Sequence, residues 1–202
     1  MRAGLIVDYG GVLTTDVFAS FRAFCEAEGL APETVRERFV SDPEARELLF
    51  RLETGELTEA QFEPAFAALL EVESEKLIDR LFGGMEPDDA MLDGVRAARR
   101  AGVRTAMLSN SWGEGRYDPA LLGELFDAWV ISGEVGLRKP QPEIYELAAE
   151  RLGLAPGACV FVDDLPGNLK PARALGMATV LHRGDATATL AEAGEHLGLS
   201  LR

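Results

Sequence analysis

The sequence predicts an α/β fold: a doubly wound parallel sheet carrying an inserted helical subdomain. Three observations lead there. Apolar runs of strand length recur along the chain, "AGLIV", "RTAML", "AWVIS", "ACVFV" and "ATVL". Most are continuously apolar, as strands buried on both faces must be. Helical patterns separate the runs, and Asp8, Ser109 and Asp163 stand at the carboxyl ends of three of them, the side on which such sheets bind ligands.

The first run enters Asp8 and the glycine-rich turn "DYGGV". Ser109 then lies 101 positions beyond Asp8, where a crossover helix needs only about a dozen. The surplus is helical in pattern. Asp16 is placed as an N-cap before "VFASFRAF", whose apolar stripe is Val17, Phe21, Phe24 and Cys25. A second stripe, Phe62, Phe66, Leu69 and Leu70, opens with a capping-box signal at Thr58 and Gln61. Leu77, Ile78, Leu81 and Phe82 form a third. The expected division is a core of residues 1–14 and 88–202 and a helical cap of residues 15–87. A cap that leaves just after the first strand sits over the strand ends, where it can exclude water and select substrate.

The remaining elements follow in order. "DDAMLDGVRAARRAG" is a helix stopped by Gly102, and "RTAML" the strand before Ser109. "AWVIS" ends at Ser132, and "PEIYELAAERLG" places Ile144, Leu147, Ala148 and Leu152 on one face before the stop at Gly153. "ACVFV" precedes Asp163, "NLKPARALG" ends at Gly176, and "ATVL" ends at Leu181.

Composition narrows the function. The 202 residues are 47% hydrophobic, enough for a real core, and carry a net charge of −14. That charge repels nucleic acid and anionic membranes, so neither is an expected partner. A phosphate can still bind beside a local cation, a lysine or Mg²⁺. Two distant cysteines, Cys25 and Cys159, lack metal-ligand spacing and suit a reducing compartment as small buried hydrophobes. The N-terminal run is too short for a signal peptide or a membrane span, which makes the cytoplasm the expected location.

Four segments carry chemistry: Asp8 with its turn; "LSNSW" with Ser109 and Asn110; "GLRKPQPEIY" with Lys139; and "VFVDDLPGN" with Asp163, Asp164 and Asn168. A carboxylate can attack phosphorus if the target is neutralised and aligned. A hydroxyl and turn amides can hold phosphate oxygens, and a lysine supplies fixed positive charge. Carboxylates on neighbouring strand ends bind a hard cation, Mg²⁺ being usual beside a phosphate. Converging aspartates in so acidic a chain repel one another without one. Singly, each residue has a plain alternative in turn chemistry or helix punctuation; their order at successive strand ends is what singles them out. Around them, Trp112 is expected to be a half-buried packing residue, Arg51 a surface ion pair, and Arg116 and Tyr117 solvated loop residues. His182 and His196 have no matching partner.

With these motifs the sequence resembles the haloacid dehalogenase superfamily over essentially its whole length, "KPQPEIY" and "DDLPGNLKPARALGM" being specific. The second half is most similar to the group containing the N-terminal phosphatase domain of mammalian soluble epoxide hydrolase and its bacterial relatives, and "ETGELT" resembles that group's cap. The resemblance implies a Rossmann-like core and a Mg²⁺-dependent phosphatase acting on a small phosphorylated metabolite. It implies that Asp8 is the nucleophile that forms an aspartyl-phosphate. Ser109 then binds phosphate with Asn110 beside it, Lys139 is the charge-balancing lysine, and Asn168 steadies the phosphate site. The metal would be held by Asp8, the Gly10 carbonyl, Asp164 directly and Asp163 through water.

Gly10 departs from the pattern. The family usually places a second aspartate there, as acid for the leaving alcohol and base for water. Glycine keeps the carbonyl and loses the acid, so the proton must come from elsewhere or turnover must depend on an acidic leaving group. Two other readings stay open: a 2-haloacid dehalogenase, against which the Asp163–Asp164 pair counts, and a catalytically weak member that binds a phosphorylated ligand or a protein.

Overall fold

In a computed structural model, described over residues 2–113 and 115–201, the five apolar runs form one parallel sheet. Its strands are β1 (Gly4–Val7), β2 (Arg104–Ser109), β3 (Ala128–Ile131), β4 (Cys159–Asp163) and β5 (Ala178–Leu181), in the order β3-β2-β1-β4-β5. The chain works outward from β1 to β3, then returns to pair β4 on the other side of β1. The reversal makes the β1–β4 crevice the switch point of a Rossmann-type sheet. In this register Val7 sits opposite Val162, so Asp8 and Asp163 emerge side by side.

Between β1 and β2 the chain forms α1 (Val17–Ala27), α2 (Thr34–Ser41), α3 (Pro43–Glu53), α4 (Glu59–Leu70), α5 (Leu77–Leu81) and α6 (Asp89–Arg100). Then come α7 (Pro119–Leu125), α8 (Ser132–Val135), α9 (Pro142–Arg151), α10 (Pro166–Ala174) and α11 (Ala186–Leu197). Alternation within β1 divides the core. Leu5 and Val7 pack with Met91 and Val95 of α6 and Leu190 of α11, whereas Ile6 faces Ile144 of α9 and Leu169 of α10. Both faces are covered, which is why the strands are continuously apolar. Among the described residues no helix is long and apolar enough to cross a membrane. Cys25 and Cys159 are free and buried.

Part of the acidic excess has a local purpose. Asp16, Asp42, Asp88, Asp118 and Asp185 each accept a backbone N–H at a helix start, at 2.8–3.0 Å, a contact worth about 1 kcal/mol per helix. At α4 the Thr58 N–H donates to Gln61 Oε1 at 3.0 Å, as the capping-box spacing requires. α10 begins at Pro166, two residues before the "NLKPARALG" pattern, because proline fits the first helical turn without losing a hydrogen bond.

Helices α1 to α5 carry a core of their own, containing Phe21, Phe62, Phe66 and Ile78. The chain leaves and returns through adjacent segments. Thr14 bridges Pro87, Thr15 N–H donates to Glu86 O at 2.8 Å, and Asp88 N–H donates to Leu13 O at 2.9 Å. A second attachment lies at the end of α3. Ser132 Oγ donates to the Glu53 carbonyl, and the same Oγ accepts Ser111 N–H at 2.7 Å. Gly55 follows at φ +76°, so close to the sheet layer that a Cβ would lie 2.4 Å from Gly133 O.

Gly55→Ala is therefore expected to destabilise the protein by about 1–3 kcal/mol, from positive φ plus collision with unyielding backbone. Thermal unfolding reads this as a midpoint lowered by about 2–4 °C per kcal/mol. A midpoint equal to wild type would show that the turn does not bear on Gly133.

Candidate active site

Asp8 is the first residue beyond β1, and its N–H still donates to Val162 O at 2.9 Å. The ladder therefore fixes its backbone. The turn after it allows a close approach. Gly11 has φ +75°, and a Cβ there would lie 2.6 Å from Asp164 Oδ2. Only glycine satisfies both constraints. Ligand oxygens of Asp8, Asp163 and Asp164 lie within 4.8 Å of one another.

Into this group comes Lys139, from the segment between α8 and α9. Its Nζ stands 2.7 Å from Asp8 Oδ1 and 2.8 Å from Asp163 Oδ2, with the lysine 1% exposed. Asn110 aligns it. Asn110 Oδ1 accepts Lys139 N–H at 2.8 Å, and Asn110 Nδ2 donates to Lys139 O at 3.1 Å. Asp163 is held separately: its Oδ1 accepts Leu165 N–H at 2.8 Å and Asn168 Nδ2 at 2.9 Å. Asn168, expected at the phosphate, thus spends its amide on Asp163.

One buried ammonium serves two carboxylates, and among the described residues no cation pairs directly with the third, Asp164. The titration directions follow. Burial pushes Asp8 well above the ordinary carboxylate range; Lys139 pulls against it, and Asp163 and Asp164 push the same way. Asp164 is pushed up to about 6 by burial and by Asp163. Burial opposes the charge on Lys139, but Asp163 and Asp8 outweigh it and hold the ammonium above its ordinary value. Three carboxylates with Gly10 in the same turn make a hard oxygen donor set, and the missing Cβ of Gly11 leaves Asp164 room to reach it. That set fits a hard divalent cation.

Ser109 ends β2 and is buried. Tyr117 OH donates to Ser109 Oγ at 2.9 Å, and Ser109 Oγ donates in turn to Asn110 O at 3.4 Å, a long contact that an incoming acceptor can replace. The Tyr117 ring meets the edge of Tyr9 at 5.0 Å between centroids. A cavity of about 800 Å³ opens from this cluster and is walled on the far side by Phe18, Phe39 and Phe82, with Trp112 reaching in from the sheet side. Trp112 is half-buried against Phe82 and Phe39, at 5.0 and 5.5 Å between centroids, the packing role expected of it.

Other expectations divide. Arg51 pairs with Glu56 at 3.7 Å on the surface, as anticipated. Arg116 and Tyr117 are not merely solvated. Arg116 joins Glu59 at 3.0 Å and Asp79 at 3.1 Å, tying the loop after β2 to α4 and α5, and Tyr117 reaches the Ser109 hydroxyl. His182 Nδ1 meets Thr189 Oγ1 at 2.9 Å inside the fold, a structural pairing. The sequence left Glu53 as part of a turn motif, yet its carboxylate is buried in the cavity wall. Arg138 Nε lies 2.8 Å from Glu53 Oε2, and Asn110 Nδ2 donates to the same oxygen at 3.4 Å. A glutamate two residues before a glycine gives no signal of burial; its side-chain partners, Asn110 and Arg138, are more than fifty positions away. Gly10 faces the cavity without a carboxyl, and a Cβ there would meet Val17 Cγ2 at 3.1 Å.

The crowding has a measurable sign. Folded Asp164 takes its proton near pH 6, against about 3.9 unfolded. The folded state then binds more protons between those values, and stability falls as pH rises through them. In metal-free buffer Asp164→Asn is expected to raise the thermal midpoint above about pH 6, with the gain fading toward pH 4. A variant less stable than wild type at pH 8 would contradict the crowding.

The geometry has counterparts. A family model described as haloacid dehalogenase-like hydrolase matches residues 3–176. Bifunctional epoxide hydrolase 2 of Rattus norvegicus is 35% identical over 105 residues, covering 48% of this chain and 19% of that protein. The chain thus spans about a fifth of the length of that relative. Fructose-1-phosphate phosphatase of Escherichia coli (strain K12) is 32% identical over 130 residues, 62% of this chain and 66% of the other. Among solved structures, a HAD family enzyme of Bacteroides thetaiotaomicron in complex with magnesium and inorganic phosphate superposes with a TM-score of 0.68 at 22% identity, over 92% of this chain and 96% of that one. That likeness concerns the fold.

Proposed function

The chain belongs to the haloacid dehalogenase-like hydrolase family, and from that premise we propose that it hydrolyses a small phosphomonoester through an aspartyl-phosphate at Asp8. The observation that carries the reading is the single ammonium of Lys139 between Asp8 and Asp163, with Asp164 alongside, at the switch point of the sheet. Similarity to a fructose-1-phosphate phosphatase supports a small phosphorylated substrate. Residues 15–87 serve as its cap, and the aromatic wall suits an alcohol portion with apolar surface. A cytoplasmic setting is part of the same reading.

Each residue has a task. Asp8 attacks phosphorus while its backbone stays locked to β4. Lys139 offsets charge on Asp8 and on the phosphoryl group in a site nearly closed to water. Ser109, its lone pair taken by Tyr117, donates its proton to a phosphate oxygen. Asn110 keeps Lys139 in line, and Asn168 keeps Asp163 facing the lysine. Asp8, Asp164 and the Gly10 carbonyl would hold Mg²⁺, with Asp163 acting through water. When bound, the ion supplies positive charge that screens the carboxylates and the phosphate oxygens from one another.

A screen of diverse phosphomonoesters should show phosphate release that chelator abolishes and Mg²⁺ restores, and that Asp8→Asn eliminates. Lys139→Ala should cost about 3–4 kcal/mol in kcat/KM, as the loss of a strong electrostatic donor does. Full activity in excess chelator, a loss below about threefold in Lys139→Ala, or chloride release from a 2-haloacid in place of phosphate release would overturn the reading.

A further inference from the structure

We propose that Glu53 is the catalytic proton carrier of this site, standing in for the carboxyl that position 10 lacks; the proposal rests on the phosphatase reading above. Hydrolysis of an ester with a poor leaving group needs a proton donor at the departing oxygen and an acceptor for the attacking water. Gly10 offers neither, and Asp16, the nearest carboxylate in sequence, is exposed and committed to capping α1 and to Arg22 at 3.3 Å. The candidates are the remaining carboxylates that face the cavity.

Four of these lie outside the metal set: Glu53, Glu59, Asp79 and Glu86. Glu59 and Asp79 share Arg116, and Glu86 is exposed at the foot of the insertion. Glu53 differs from all three. It is buried, and its Oε2 receives both Arg138 Nε and Asn110 Nδ2. Its backbone is pinned as well, because Ser132 Oγ donates to its carbonyl. Glu53, Ser109 and Asp8 line the same cavity, and Asn110, which directly follows Ser109 in sequence, is the side chain that holds the carboxyl there.

The environment lets this carboxyl keep a proton at neutral pH. Burial pushes it up to about 7, against the opposing pull of Arg138, Lys139 and the Asn110 hydrogen bond. Among the described residues those two cations, from the segment after α8, are the charges acting on it; the loop after β2 presents Asn110, and the start of α8 presents Ser132. Its place at the carboxyl end of α3 works in the same direction, since that end of the helix dipole disfavours negative charge.

The proton balance closes. In the first step Asp8 forms its bond to phosphorus as the ester P–O bond breaks, and the Glu53 proton goes to the departing alkoxide. In the second, Glu53 carboxylate takes a proton from water as the water oxygen attacks the aspartyl-phosphate. The Asp8–phosphorus bond breaks, phosphate leaves and Glu53 is again protonated. No further reactant is required.

Glu53→Gln keeps the size and the Oε2-type acceptor and removes the proton. The test compares n-butyl phosphate with p-nitrophenyl phosphate, whose leaving group needs no proton. In the variant, kcat/KM for the butyl ester should fall about a hundredfold or more, the usual scale of general acid catalysis, and far less for the aryl ester. With the water's base also gone, the aryl ester should give a burst of one nitrophenolate per enzyme before slow turnover. In wild type, kcat/KM for the butyl ester should decline as pH rises through about 7, a limb that the aryl ester lacks and that needs no variant to observe. Glu53→Asp should keep that limb. Equal losses on the two esters, no loss on either, or a wild-type butyl profile without the limb would overturn the role of Glu53 while leaving the phosphatase reading intact. Absence of phosphate release by wild type from both esters would overturn the two together.

Discussion

The ammonium of Lys139 is the interaction on which the site depends. It lies 1% exposed between two carboxylates, each within 2.8 Å. An ion pair so deep stabilises little by itself, because removing three charges from water costs about as much as their attraction returns. Its consequence is specificity of arrangement. Asp8 and Asp163 can stand side by side only with that cation between them, and the cation is held in place by the Asn110 clamp on the Lys139 backbone. At Asp164 burial and Asp163 outweigh the pull of the same ammonium, and the carboxyl remains short of positive charge. The excess of carboxylate over cation makes the pocket a donor set that fits a hard cation.

The sheet supplies the geometry. Parallel pairing of β1 with β4 brings Asp8 and Asp163 to the same level, and reversal of the strand order at β1 opens a crevice there. β2 ends in Ser109 on the other side of β1. Three strand ends therefore converge without any long loop having to be ordered. The helical insertion closes over them through two attachments, the paired segments at Thr14 and Pro87 and the contact of Gly55 with Gly133. The second attachment delivers a buried carboxyl from α3 to the cavity wall beside Asn110. The insertion therefore adds a buried carboxyl to the cavity wall as well as shape, a consequence of docking its turn so tightly that glycine is required.

What the sequence by itself determined was local or periodic. Apolar runs marked all five strands, most of them continuous because burial on both faces leaves no alternation, while β5 at the sheet edge alternates. Asp8, Ser109, Lys139, Asp163 and Asp164 were legible because each stands at the end of an element whose boundaries the pattern shows. The Asp16 cap and the Thr58–Gln61 spacing were legible because their partners lie within a single turn. What only the tertiary structure decided were contacts between residues distant in sequence: Tyr117 on Ser109 across a loop, Arg116 bridging α4 and α5, Asn168 turned toward Asp163, and Glu53 brought from α3 to Arg138 and Asn110. No periodicity encodes them. The same "ETG" turn would be a solvated surface feature on a freestanding helix. It becomes a buried carboxyl only when the insertion folds back onto the sheet and excludes water from it.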